Sequence, residues 1–312
     1  MLDGRGIAMN MEHAQPITSL GKALDTSPER FGPMRRSDDI AADTVALQAR
    51  MKQDGYLLLS NLLDRNEVLA ARGPIVQALA DEAQLEPGTN IDEAVARRGT
   101  DLYFRPDMAA QNAALKHLLY NPEGRMMRFF EGFLGGQVRH FDFTWLRCVA
   151  PGKGTPPHCD IVYMGRGTHR LYTAWTPLGD VDLDMGGVMV LEGSHLNERL
   201  RNGYGQRDVD TYCSNKPDDD SRSARGLNGW LSDDPVNLQR GFKGRWLTSP
   251  FATGDVLIFD MFLVHGGLDN RSQSFRLSSD SRYQLACQPV DERWVGADPP
   301  GHGPASKRGK IC

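Results

Sequence analysis

"GDVLIFDMFLVHGGLDNRSQSFRLSSDSRYQ", residues 254–284, decides the fold. Gly254-Asp255 opens an apolar run that reaches His265, and Gly266-Gly267 closes it. A second strand-like stretch begins at Arg276. Two short strands joined by turn residues are the natural reading. The same texture extends through residues 136–290, in "QVRHFDFTWLRCVA", "RLYTAWTPL", "GGVMVLEGS" and "RLSSDSRYQLAC". Gly, Pro and Asp separate these runs, which predicts an antiparallel double sheet, either sandwich or barrel.

Upstream the period changes. "IAADTVALQARMK" has apolar residues at helical spacing, "GYLLLSNLL" reads as a short buried strand, and "DRNEVLAARGPIVQALADEA" reads as an amphipathic helix. Asp64 can cap that helix, with Glu67 three residues on in a capping-box pattern. One or two more helices are expected over 107–134. The expected organisation is a loosely ordered arm over 1–38 and a single domain over 39–290. That domain has a helical part (39–135) and a strand-rich core (136–290). A polar, lid-like insertion spans 197–250, and an extended tail follows over 291–312.

Composition narrows the function classes. The 312 residues carry a formal charge of −4, so a nucleic-acid partner, which favours basic domains, is not expected. No apolar run approaches the roughly 18 residues of a membrane span, and the N-terminus shows no secretory h-region. Five scattered cysteines without a C-x-x-C argue for reduced thiols in the cytoplasm and against a structural zinc site. A small-molecule partner remains. Arg199, Arg201, Arg207, Arg222 and Arg225 in the insertion hint at a polar or anionic one, though surface charge for solubility is the favoured reading; the run Asp218–Asp220 reads as a solvated face.

"TPPHCDIVY", residues 155–163, places His158 and Asp160 two apart. On a strand, residues i and i+2 share a face, and Pro156-Pro157 favours an extended approach. The pair is then two metal ligands or a chance H-x-D, with Cys159 facing away. His265 is a third ligand or a core histidine. Two histidines and one carboxylate on one face leave open positions on an iron. Arg276, eleven residues after His265, is a surface residue or a fork that holds a carboxylate through two parallel hydrogen bonds.

The order of these features resembles the phytanoyl-CoA dioxygenase family of Fe(II)/2-oxoglutarate-dependent oxygenases, over roughly residues 50–290. The matching stretches are "GYLLLSNLLDRNEV", "HCD" at 158–160, "AWTPLGD" at 174–180, "GGVMVLEGSH" at 186–195, and His265 with Arg276. The resemblance implies a double-stranded β-helix (jelly roll, cupin-like) with flanking helices. It implies Fe(II) held by His158, Asp160 and His265, and 2-oxoglutarate held by Arg276. It further implies oxidation of an unactivated C–H bond by O2, with release of succinate and CO2, often in secondary metabolism. Hydroxylation is expected because Asp160 occupies the place where related halogenases have a small residue. Desaturation, ring closure and epimerisation stay open.

Trp175 falls near the implied co-substrate or in the core. Ser278 and Arg282 share a strand face with Arg276 by period 2; Ser278 is a candidate for lining the pocket at the co-substrate, and Arg282 is a substrate-pocket candidate or a rim or ion-pair residue. Tyr163 is a candidate pocket wall, and His195 a structural residue of its turn. Gly267 stands where some relatives have a hydroxyl donor for 2-oxoglutarate, so another residue must supply it. A 2-oxoglutarate-independent cupin-type isomerase or hydrolase would need the three ligands but not Arg276. A non-catalytic jelly-roll binding protein would need neither.

Overall fold

A computed structural model describes residues 16–101, 103–210, 229–302 and 306. Its strands are β1 (Thr18–Ser19), β2 (Lys22–Ala23), β3 (Phe31–Pro33), β4 (Tyr56–Leu59), β5 (Val138–His140), β6 (Trp145–Val149), β7 (Tyr172–Pro177), β8 (Val188–Leu191), β9 (Trp246–Thr248), β10 (Val256–Asp260), β11 (His265–Gly267) and β12 (Arg276–Leu285). The major sheet runs β4-β10-β7-β12-β5, with β6 also paired to β12. The minor sheet runs β11-β8-β9-β3. Every pairing is antiparallel except β3 with β9. The two sheets form the jelly roll expected from the strand texture.

Alternation along each strand explains the layers. In β10, Val256 and Ile258 face the helices, while Leu257 and Phe259 face the space between the sheets. In β12, Leu277 and Tyr283 join the helix-side core. Arg276, Ser278, Asp280 and Arg282 therefore all face inward. Four buried charged or polar side chains on the concave face of β12 make that face a site, not a core.

The helices α1 (Thr44–Asp54), α2 (Arg65–Asp81), α3 (Pro106–Gln111), α4 (Ala113–Tyr120) and α5 (Arg125–Leu134) cover the convex face. Asp64 caps α2 by accepting from Asn66 N and Glu67 N. In α5, Phe130 stacks on Tyr283 with ring centroids 4.1 Å apart and locks the helix layer onto β12.

Three boundaries differ from the sequence expectation. The loosely held arm over 1–38 is, from residue 16 on, part of the domain: β3 closes the minor sheet, and Ile17, Leu24 and Phe31 are buried. The insertion over 197–250 is not uniformly irregular. It holds α7 (Glu198–Asn202), α8 (Pro235–Phe242) and the minor-sheet strand β9. Residues 211–228, with Asp218–Asp220, Arg222 and Arg225, lie outside the described residues. The tail is not a simple extended segment either. Trp294 is buried, and Arg293 pairs with Asp208, Asp210 and Asp291. Long-range ion pairing of this kind leaves no local periodicity to read. Among the described residues, no helix is long and apolar enough to cross a membrane.

Candidate metal centre

His158, Asp160 and His265 converge between the sheets, all buried, with one ligand atom from each within 4.8 Å of the others. The sequence expects His158 and Asp160 on one strand, and the structure corrects this. His158 pairs with His265 as an isolated antiparallel bridge: each amide donates to the other's carbonyl, at 2.9 and 3.0 Å. After Cys159 the chain turns. Asp160 has αR backbone and precedes the one-turn helix α6 (Ile161–Met164). Cys159 does face away, its thiol donating to Phe262 O in the apolar cluster behind the site.

The imidazoles are oriented by backbone. His158 Nδ1 lies 2.8 Å from Pro156 O, and His265 Nδ1 lies 3.0 Å from Leu263 O. A carbonyl only accepts, so both Nδ1 atoms carry the proton and both Nε2 lone pairs are free. Burial pushes the His158 pKa down to about 3, with His265 adding to the effect, and burial likewise lowers that of His265. Both rings are neutral, as metal ligation requires.

Asp160 Oδ1 faces the Nε2 atoms of His158 and His265, at 3.8 and 3.7 Å. Its Oδ2 is engaged elsewhere: Thr173 Oγ1 donates to it, and Arg282 Nη2 donates at 3.0 Å. Burial alone would raise this carboxyl's pKa, but the Arg282 guanidinium, with the Thr173 hydroxyl beside it, holds it well below the usual range. The division of labour leaves one oxygen for a metal. Arg282 is accordingly an ion-pair residue at the ligand set, buried and lying over Trp145 with its Cζ 4.1 Å from a ring centroid.

A small cavity beside His158 and His265 is lined in part by Arg276, Trp175, Gly267, Thr155 and Arg147. Arg276 is 1% exposed. Its Nη1 donates to Gly186 O, its Nε has no partner, and burial lowers its pKa to about 10. A buried cation with an unused donor is costly unless an anion joins it. Trp175 Nε1 is likewise unpartnered. Ser278 Oγ is buried without a partner on the same strand face but does not line the cavity. These orphaned donors fit a carboxylate-bearing co-substrate.

Gly267 is forced by close approach. A Cβ there would lie 2.7 Å from Thr155 N and 3.3 Å from Thr155 Oγ1. Thr155, which hydrogen-bonds Tyr103 through its hydroxyl, occupies the space a side chain at 267 would take. A second pocket of about 480 Å³ borders His158 and Asp160. Tyr103, Phe104, Trp145, Tyr163, Trp230 and Arg147 are among its walls.

Tyr163 is thus at the pocket, as expected, with its ring edge-on to His158. His195 is not. Its Nε2 donates to Lys52 O, and the ring packs against Gly55 and lines a separate cavity of about 560 Å³. Arg201 lies over the Phe262 ring beside that cavity, and Arg207 over Tyr204. Arg199, Arg201 and Arg207 do not line the pocket at the metal ligands. Sequence reasoning missed Arg147, Thr155, Tyr103 and Thr173. Period 2 within "WLRCV" would have found the first, since Leu146 and Cys148 face the helices.

A jelly roll with two histidines and one aspartate facing a buried arginine defines an Fe(II)/2-oxoglutarate-dependent dioxygenase. The chain belongs to the phytanoyl-CoA dioxygenase (PhyH) family, whose model matches residues 51–278. It is 28% identical to the 1-deoxypentalenic acid 11-beta-hydroxylase of Streptomyces exfoliatus, over 78% of this chain and 82% of that protein. It is 22% identical to the peroxisomal phytanoyl-CoA dioxygenase of Mus musculus, over 89% and 78%. The fold is shared with the α-ketoglutarate-dependent epimerase SnoN from nogalamycin biosynthesis (TM-score 0.54, 20% identity, 83% and 93% covered). It is also shared with EctD from S. alaskensis, whose structure holds 2-oxoglutarate and 5-hydroxyectoine (TM-score 0.53, 18% identity, 93% and 90% covered).

Proposed function

We propose that His158, Asp160 and His265 hold the Fe(II), that Arg276 holds the distal carboxylate of 2-oxoglutarate, and that a small molecule in the aromatic pocket is oxidised at a C–H bond. The convergence of two Nε2 lone pairs and one free carboxylate oxygen carries this reading. When bound, the iron, 2-oxoglutarate and O2 supply the oxidising power, with succinate and CO2 released.

The chain's own residues provide orientation and exclusion of water. Backbone carbonyls fix both imidazoles. Arg282 and Thr173 hold Asp160 so that one oxygen points at the histidines. Because a carboxylate fills that position, hydroxylation is favoured over halogenation. Arg276 and Trp175 supply unsatisfied donors to the small cavity. A cupin-type enzyme without 2-oxoglutarate, or a binding module, gives Arg276 no reason to be buried without an acidic partner. The hydroxyl that Gly267 lacks comes from Thr155. Tyr163 forms part of the substrate wall. A secondary metabolite is the substrate class we favour. Free Cys148, Cys159 and Cys287 fit a reducing, cytoplasmic setting.

The test is anaerobic addition of Fe(II) and 2-oxoglutarate. A weak metal-to-ligand absorption in the green is expected. Metal binding without that band would favour the cupin-type reading. Thr155→Val should weaken 2-oxoglutarate binding by about tenfold or more, the worth of one hydrogen bond to a charged group. Iron affinity should be unchanged, measured in the same titration.

A further inference from the structure

Three arginines and two aspartates face the space around the metal ligands. Arg276 lines the small cavity, and Arg282 lines the aromatic pocket. Arg147 lines both. Asp160 pairs with Arg282 Nη2 at 3.0 Å, and Asp280 with Arg147 Nε at 2.9 Å. One positive charge is left over. The inference rests on the function proposed above: with Fe(II) and the 2-oxoglutarate dianion in place, their charges cancel and the excess remains. At the pocket mouth, the exposed Lys153 and Asp101 offset each other. A charge in excess within a low-dielectric cleft draws an anion.

Geometry locates where that anion sits. Asp280 is 6% exposed and anchors Arg147 by Nε alone, while Arg147 keeps 18% of its side-chain surface open. Its Nη1 reaches Tyr103 Oη at 3.2 Å, inside the aromatic pocket. The guanidinium edge thus stands at the junction of the two cavities. Arg282 is less available, because it is 2% exposed, spends Nη2 on Asp160 and lies over Trp145. Around Arg147 the walls are Tyr103, Phe104, Trp145, Tyr163 and Trp230, suited to a ring skeleton and not to a strongly polar body.

We propose that the substrate is a predominantly apolar, ring-containing molecule with a single carboxylate, and that Arg147 holds that carboxylate beside the iron site. The insertion arginines do not have this role.

The experiment uses the anaerobic Fe(II)·2-oxoglutarate complex of the full chain. One-, two- and three-ring carboxylic acids, alicyclic and aromatic, are each paired with their primary carboxamides, and binding is measured by titration calorimetry. At least one acid should bind about 10- to 150-fold more tightly than its amide, the range for a hydrogen bond to a charged group. Arg147→Gln should erase that preference, with any loss of 2-oxoglutarate affinity clearly smaller than the loss of acid affinity. Arg147→Lys, which keeps the charge but not the fork, should retain part of it and serves as the deciding variant if Arg147→Gln does not fold. No acid preference anywhere in the panel overturns the proposal. So does a preference that survives in both variants, or a loss of 2-oxoglutarate affinity in both as large as the loss of acid affinity. Failure of the wild-type complex to form its absorption band would instead sink the oxygenase reading itself.

Discussion

His265→Ala is expected to abolish Fe(II) binding and turnover while leaving the protein folded. The ring supplies one of only three protein donors, and no other His, Cys, Asp or Glu among the described residues joins the cluster. The loss should exceed the roughly 10- to 100-fold that follows removal of a residue supporting a ligand. It should also exceed the effect of Arg282→Gln, which removes such a support from Asp160 Oδ2. Folding should survive because the backbone bridge between residues 158 and 265 uses amides and carbonyls, not the ring. Anaerobic iron titration with circular dichroism on the same sample checks both halves. Iron affinity within tenfold of wild type would show that His265 is a core histidine.

Arg276→Ala is expected to raise the 2-oxoglutarate requirement sharply while iron binding holds. Truncating one partner of a buried, hydrogen-bonded charge pair costs about 2–5 kcal/mol, or roughly 30- to several thousand-fold in affinity. In the free protein the near-isosteric Arg276→Met should be as stable as wild type or slightly more so, because an unpaired buried cation is replaced by an apolar side chain of similar volume. This opposite pair of effects, weaker binding and equal or greater stability, distinguishes a ligand-holding arginine from a structural one. Calorimetric titration with 2-oxoglutarate and thermal unfolding without it give the two readouts. Unchanged co-substrate affinity would remove Arg276 from the site.

Much of this was legible in the residues because burial between two sheets writes short apolar runs broken by Gly, Pro and Asp. Every major-sheet strand of the jelly roll falls inside a run of that kind, β4 in "GYLLLSNLL" and β10 in "GDVLIFD" included. The ligand set was legible for a different reason: residue type and order survive without geometry. The path of the chain at Asp160 was not. Pro156-Pro157 argue for extended backbone, and only the tertiary contacts of Asp160 with Thr173 and Arg282 reveal the turn. The ends of the domain were hidden too. Ile17, Leu24 and Phe31 are spaced too sparsely to show a period, and Arg293 is held by acids more than eighty positions away as well as by its neighbour Asp291. Thr155 was obscured because its relevance comes from a glycine over a hundred residues downstream.

The bridge between His158 and His265 has a thermodynamic consequence. Two segments more than a hundred residues apart are hydrogen-bonded to each other at the very residues that carry the ring nitrogens. Ordering those segments is a cost met during folding, so an arriving ion need not restrict them again. An ion held by these residues would then load and leave without refolding the sheets around it, and its affinity would report the chemistry of the donors undiluted by a folding transition.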